Sequence, residues 1–235
     1  MAGAVWGTFW DGPWDGAVRT ALLRKLSRED RARFAAFPSG GGRPAERGRQ
    51  FLLSRALLAF ALEETLGGRE PLSLAKDAGG RPFLPERPGL FLSLSHTEGA
   101  AVLALSDAPV GVDVERLRAI PPRLGRRVGA GTPEAFWRRW TAAEAEAKRA
   151  GRGAGAILAA LRGAEEAAGD GGPLRKPGAD VCPIPLGPGF AAAVCGEGNF
   201  PLRIVTGEEL AEQRRGRKLP ASAETGDADH RVAAQ

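Results

Sequence analysis

Gly111-Val112-Asp113-Val114-Glu115 alternates apolar and acidic side chains, while Trp140-Thr141-Ala142-Ala143-Glu144-Ala145-Glu146-Ala147-Lys148 sets an indole, a carboxylate and an ammonium four residues apart. The first pattern has the period of a β-strand, so the two valines take one face and Asp113 and Glu115 the other. The second has the period of a helix, which stacks Trp140, Glu144 and Lys148 on one side and turns Glu146 elsewhere. A strand of one kind followed by a helix of the other predicts a chain that mixes sheet and helix.

Working outward, short apolar runs at 72–75, 90–95, 101–105 and 110–114 alternate with Gly, Pro and Asp turns, which predicts a region that is mainly sheet. Residues 4–10 read as an opening strand, closed by a loop marked by Gly12, Pro13 and Gly16. From Val18 to Phe37, Leu22, Leu23, Leu26 and Phe34 lie among arginines as on an amphipathic helix or pair of helices, with Ser27 and Asp30 spaced as a helix start. A further helix runs from Pro44 to Leu66, with an apolar stripe at Phe51, Leu52, Leu58, Leu62 and Leu66, and is closed by Gly67-Gly68. Its arginines Arg47, Arg49 and Arg55 read individually as a solvated basic face. On the other side, Thr132-Pro133-Glu134 announces the helix at 137–150. Residues 151–180 carry few signals beyond Ile157 to Leu161. Late strands are expected at 181–194 and 202–205, and a frayed or disordered tail from 207 onward.

The 235 residues are 43% hydrophobic and 26% charged, values of an ordinary globular protein that needs no disulfides to build its core. Cys182 and Cys195 form no CxxC pair, so neither a disulfide framework nor a zinc site is expected, and a reducing, cytoplasmic setting fits. The start has no basic segment and no long apolar run, and no stretch reaches membrane-spanning length, so neither a secretory leader nor a membrane anchor is expected. A net charge of +5 favours an acidic partner: a nucleic acid, an acidic protein or a phosphorylated small molecule.

Two carboxylates on one strand face repel each other unless a cation or open solvent separates them, and the strand alone permits either. Glu144 and Lys148 likewise admit a plain i,i+4 ion pair worth a few tenths of a kcal/mol. Taken together, the acidic strand and the helix suit Mg²⁺, which takes a few hard oxygen ligands and completes its shell with phosphates and water. Asp113, Glu115 and Glu144 are the candidate ligands, with Lys148 one turn on to meet phosphate charge. A lone histidine after a strand is usually structural, but His96 is the one histidine outside the expected tail, where His230 lies. A cationic imidazole there would suit a phosphate.

Three blocks in order carry a resemblance: Gly80-Arg81-Pro82-Phe83-Leu84 with Leu94-Ser95-His96-Thr97, then Gly111 to Glu115, then Trp140 to Lys148. The chain resembles the Sfp-type 4′-phosphopantetheinyl transferases from roughly Leu26 to Val194. The resemblance implies an α/β (α+β) fold of two pseudo-twofold-related halves, 1–117 and 118–206, with coenzyme A and Mg²⁺ in the cleft between them. It implies that the protein moves the phosphopantetheine arm of coenzyme A to a serine of an acyl or peptidyl carrier protein and releases 3′,5′-ADP, working as a cytoplasmic monomer without nucleic acid or membrane. Asp113, Glu115 and Glu144 would hold Mg²⁺, Glu144 would also serve as base, and Lys148 would contact phosphate and protonate the departing ADP. Gly80, Arg81, Pro82, Ser93, Ser95, His96 and Asp113 would contact coenzyme A. Of the early arginines Arg33, Arg47, Arg49 and Arg55, Arg47 is the one chosen for the nucleotide. Arg81 stands where the family often has lysine, which exchanges a compact charge for a planar fork.

Two rival readings use the same residues. A Mg²⁺-dependent nuclease would also need acids, a lysine and a basic body, but its second acid and lysine usually share a strand, and Ser95-His96 would have no task. A non-catalytic binder of coenzyme A or carrier protein would be expected to have lost at least one of the four residues Asp113, Glu115, Glu144 and Lys148. No GxxxxGK[ST] or strand–GxGxxG–helix unit supports a P-loop or dinucleotide fold.

Overall fold

The acidic segment forms a strand, Gly111–Arg116 (β6), and the Trp-Glu-Lys segment lies in a helix, Pro133–Arg149 (α4). These come from a computed structural model that describes residues 3–10, 12, 14–39, 42–67, 72, 74–120, 132–152 and 180–212. Ahead of them lie β1 (Ala4–Phe9), α1 (Gly16–Arg24), α2 (Arg28–Ala35), α3 (Gly42–Leu66), β2 (Ala75–Lys76), β3 (Pro82–Phe83), β4 (Phe91–Thr97) and β5 (Ala100–Ser106). After them come β7 (Val181–Pro183), β8 (Phe190–Cys195), β9 (Leu202–Ile204) and α5 (Gly207–Ala211). The α+β class expected from the sequence is the class observed. No helix among the described residues is long and apolar enough to cross a membrane.

The helical stretch at 18–37 is a pair of helices, split where the Ser27 side chain accepts the Asp30 amide and caps α2. The strand expected across 181–194 is two strands, β7 and β8, joined through Gly187 and Gly189 in left-handed backbone. The tail expected from 207 begins instead with α5. Thr206 and Glu209 cap that helix reciprocally, and Leu210 is fully buried. Residues 213–235 and the apolar stretch Ile157 to Leu161 lie outside the described residues.

Two principal sheets organise the strands. One has the order β4-β5-β1-β9, antiparallel except where β1 runs parallel to β9, and the other has the order β6-β8-β7, antiparallel throughout. β6, from the first expected half, therefore lies in the second sheet, and β9, from the second, lies in the first. Arg203 on β9 pairs with Glu64 on α3 and with Glu209 on α5, tying the late segments to the first layer.

Two cores form. Leu52, Leu53, Leu57 and Phe60 of α3 bury against Leu103 and Leu105 of β5. On the opposite faces, Val5, Val102, Val112, Val114 and Val194 fill the space where the two sheets meet. The sheets touch along their edges, β4 beside β6, and hydroxyls take the place of a backbone ladder. Ser93 Oγ, Ser95 Oγ and Thr97 Oγ1 accept from the amides of Val112, Val114 and Arg116 at 3.0, 3.4 and 3.4 Å. The i, i+2, i+4 spacing sends all three hydroxyls to one face of β4, while Leu92 and Leu94 turn to the α3 core. This seam brings Asp113 up to β4, and α4 lies across the outer face of β6 and β8.

Candidate active site

Asp113 sits on β6 with its side chain 4% exposed, and its Oδ1 receives two donors: Lys148 Nζ at 2.6 Å and Ser95 Oγ at 2.7 Å. Lys148 also donates to the Val112 carbonyl at 3.0 Å and lies 3.8 Å from Glu144 Oε2. The ammonium therefore bridges the acid of the strand and the acid of the helix. Asp113 Oδ2 is buried and has no hydrogen-bond donor while Glu144 is ionised.

Glu144 is pushed up to about 7, first by burial and then by the negative charge of Asp113, with Lys148 pulling the other way. Hydrogen bonding to Asp113 further favours its protonated form. Glu115 is raised by burial, with Arg118 opposing that shift, and its carboxylate pairs with Arg118 at 3.0 Å. Among the described residues, no three His, Cys, Asp or Glu side chains form a cage for a metal ion. The three acids expected as one ligand set are thus arranged as a close pair, Asp113 and Glu144, with Glu115 turned to a guanidinium. The physical reason is charge balance: Lys148 and Arg118 supply the positive charge that clustered carboxylates require.

Beside this cluster a cavity of about 340 Å³ opens, walled by Arg55, Lys76, Arg81, Ser93, His96 and Lys148. The turn Asp77–Arg81 forms one side: Gly80 takes a φ of 82°, and Asp77 Oδ1 accepts the Arg81 amide at 2.8 Å. Gly80 and Pro82 both line the cavity. Arg81 reaches to the end of α4 and donates to the carbonyls of Arg149 at 2.8 Å and Lys148 at 3.4 Å. There the helix closes on Gly151 in left-handed backbone, and a side chain at that position would meet the Arg81 guanidinium. Arg81 therefore caps the helix that carries Lys148 while it faces the cavity.

His96 stands exposed at the cavity mouth. The protein crowding its ring, and then the charges of Lys148 and Arg55, hold its pKa below the ordinary range. The cationic imidazole expected from the sequence is thus disfavoured, because two other cations share the space. Arg47 is exposed on α3 and is not part of the cavity wall, whereas Arg55, two turns along, is. Arg55 lies 3.3 Å from the buried Asp30 and over the Phe51 ring, and burial lowers its pKa. Ser93 lines the cavity, while Ser95, 7% exposed, has its hydroxyl engaged by β6. Sequence reasoning missed Lys76 and Arg152, which also wall the cavity. The place of Lys76 just before the Gly79-Gly80 turn was the one signal for it.

No protein-family model matches the chain. Among curated proteins, a 4′-phosphopantetheinyl transferase of Bacillus subtilis is 21% identical over 164 residues, which cover 63% of this chain and 70% of that protein. The 4′-phosphopantetheinyl transferase Sfp of Bacillus subtilis (strain 168) is 24% identical over 153 residues, covering 55% and 67%. The chain is similar to 4′-phosphopantetheinyl transferases. A third, psf-1 of Bacillus pumilus, is 29% identical over 80 residues, about a third of each chain. The three names share one activity, which supports an enzyme of the phosphopantetheinyl transferase kind.

Proposed function

We propose that the protein transfers the 4′-phosphopantetheine arm of coenzyme A to a serine of an acyl or peptidyl carrier protein and releases 3′,5′-ADP. The observation that carries this reading is the Asp113–Lys148–Glu144 cluster beside a cavity walled by Arg55, Arg81 and His96. The donors fit a hard divalent cation such as Mg²⁺: a buried carboxylate oxygen without a donor, and a second carboxylate whose pKa is raised by burial and by the neighbouring charge of Asp113. Asp113 and Glu144 would hold the ion, joined by Glu115 once Arg118 releases it. Bound there, the ion supplies counter-charge for the pyrophosphate.

The chain's own groups account for the remaining chemistry. Arg55, Lys76 and His96 offer donors for the phosphates of the nucleotide, and Arg81 holds the end of α4 against the same cavity. The carrier serine oxygen bonds to the β-phosphorus as the bond from that phosphorus to the ADP oxygen breaks. The serine proton passes to the Glu144 carboxylate, the acid of the helix that lies beside the Lys148 ammonium. Charge growing on the departing ADP is met by Lys148 Nζ. The net charge of +5 favours an acidic carrier. Cys182 and Cys195 are both free thiols, which suits the cytoplasm.

The test is the intact mass of a purified apo carrier protein after incubation with this protein, coenzyme A and Mg²⁺, with EDTA as control. A gain of one phosphopantetheine group that EDTA abolishes is the expected result. No gain with any acyl or peptidyl carrier, under conditions where coenzyme A binds, overturns the proposal in favour of a non-catalytic binder.

A further inference from the structure

The three hydroxyls of the β4–β6 seam are equivalent as acceptors but not as donors. Ser93, Ser95 and Thr97 each take one β6 amide, yet within the seam Ser95 is the one that gives its proton to a carboxylate, Asp113 Oδ1 at 2.7 Å. A hydroxyl has one proton to give, and accepting the Val114 amide helps set the direction in which that proton points. Lys148 Nζ meets the same oxygen at 2.6 Å. Two donors thus converge on Oδ1, and Oδ2 is left buried without one. Ser95 is itself 7% exposed, and the neighbouring cavity is walled by Ser93, Leu94 and His96 but not by Ser95.

We propose that Ser95 is a positioning residue for cation binding. With Lys148 it fixes Asp113 Oδ1, so that Oδ2 is presented to a divalent cation, and it makes no contact with coenzyme A phosphate. The inference rests on the transferase reading of this site. Rotation of the Asp113 carboxylate would exchange Oδ1 for Oδ2 and set the free oxygen toward the seam. The Ser95 hydroxyl opposes that rotation with a charge-assisted hydrogen bond at the rigid junction of two sheets. Loss of such an outer partner of a metal ligand typically weakens metal affinity roughly 10–100-fold.

The experiment uses the full chain and Mn²⁺ as the probe, with free Mn²⁺ followed by electron paramagnetic resonance in the presence of coenzyme A. Coenzyme A binding is measured separately by calorimetry in EDTA. Ser95→Ala is expected to weaken Mn²⁺ binding roughly 10–100-fold and leave coenzyme A affinity in EDTA unchanged. Thr97→Val removes a seam hydrogen bond without touching Asp113 or the cavity wall and is expected to bind Mn²⁺ as the wild type does. Ser95→Thr keeps the hydroxyl and is expected to restore binding; it carries the test if Ser95→Ala does not fold, and weak Mn²⁺ binding by Ser95→Thr would count against the role. Equal losses in Thr97→Val and Ser95→Ala would reduce Ser95 to a seam residue. A drop in coenzyme A affinity in EDTA for Ser95→Ala would place it on the phosphate instead. Either result overturns the positioning role alone. A wild-type protein that binds no Mn²⁺ with coenzyme A overturns that role and the transferase reading together.

Discussion

The layer of α3 on the first sheet and the layer of α4 on the second are packed by different means. Under α3 the contacts are large: Leu52, Leu53, Leu57 and Phe60 meet Leu103 and Leu105. Phe136 and Trp137 fill the start of α4, but under its later turns the contacts are small: Ala142 and Ala145 meet Ala193 and Cys195, and Gly111 of β6 lies beneath Ala145. A Cβ on Gly111 would stand 2.0 Å from the Ala145 carbonyl oxygen, so at this point the helix rests on the strand backbone itself. Side-chain size sets the distance between packed layers. The first layer gains stability from buried area, whereas the later turns of α4 give up area for proximity. That proximity lets the Lys148 ammonium reach both Val112 O and Asp113 across the gap.

Substitutions in the two layers should therefore act on different properties. Leu57, fully buried under α3, is expected to cost about 2–5 kcal/mol of stability on replacement by Ala. Turnover on a carrier protein should remain near wild type at a temperature where the variant is folded. Denaturant unfolding and carrier modification, measured on the same sample, check both halves of this expectation; a collapse of turnover in a folded Leu57→Ala protein would break the distinction.

Gly111→Ala should behave in the opposite sense. Overpacking is expected to cost about 1–3 kcal/mol, less than the Leu57 cavity, yet carrier modification should fall much further because α4 must lift and draw Lys148 from Asp113. Normal turnover in Gly111→Ala would show that the close approach does not set the site.

The smallest expected effect is a pH dependence of stability. Glu144 has a folded pKa of about 7 against an ordinary value of 4.5, so the folded protein binds that proton more tightly than the unfolded chain does. Its contribution to stability is complete below about pH 4.5 and is lost as pH rises through about 7. His96, held low, acts in the other direction: its contribution is present above its ordinary pKa of 6.5 and is lost as pH falls through its folded value. Comparing wild type with Glu144→Gln by urea unfolding in EDTA isolates the first effect. The two profiles should diverge between pH 4.5 and 7, and parallel profiles would remove the coupling of Glu144 to Asp113.

Local patterns were legible where one residue type forces one geometry. The alternation at 111–115 and the four-residue spacing at 140–148 announced β6 and α4, and the Thr132 cap was readable as well, although the helix begins at Pro133 rather than Trp137. Ser27 marked the start of α2 for the same reason. The stripe of α3 was legible too, with Leu52, Leu58 and Leu62 buried, although Leu66 at its end is exposed. Partners across the chain were not legible. Nothing in the order of residues says that Arg81 caps α4 or that Arg118 takes Glu115. Nor does it say that Arg55 rather than Arg47 faces the cavity, since both belong to one arginine-rich helix and which one is turned inward depends on what packs against it.

By itself the sequence determined the α+β class, the face that Asp113 shares with Glu115 and the face that Glu144 shares with Lys148, because backbone periodicity dictates these without reference to the rest of the chain. Only the tertiary structure decided that Asp113 and Glu144 meet across Lys148, that Ser95 faces Asp113, and that β6 leaves the first expected half to pair with β8. Those contacts join residues far apart in the chain. They exist because apolar burial and the seam of hydroxyls press two sheets and a helix into one place, which no local pattern specifies.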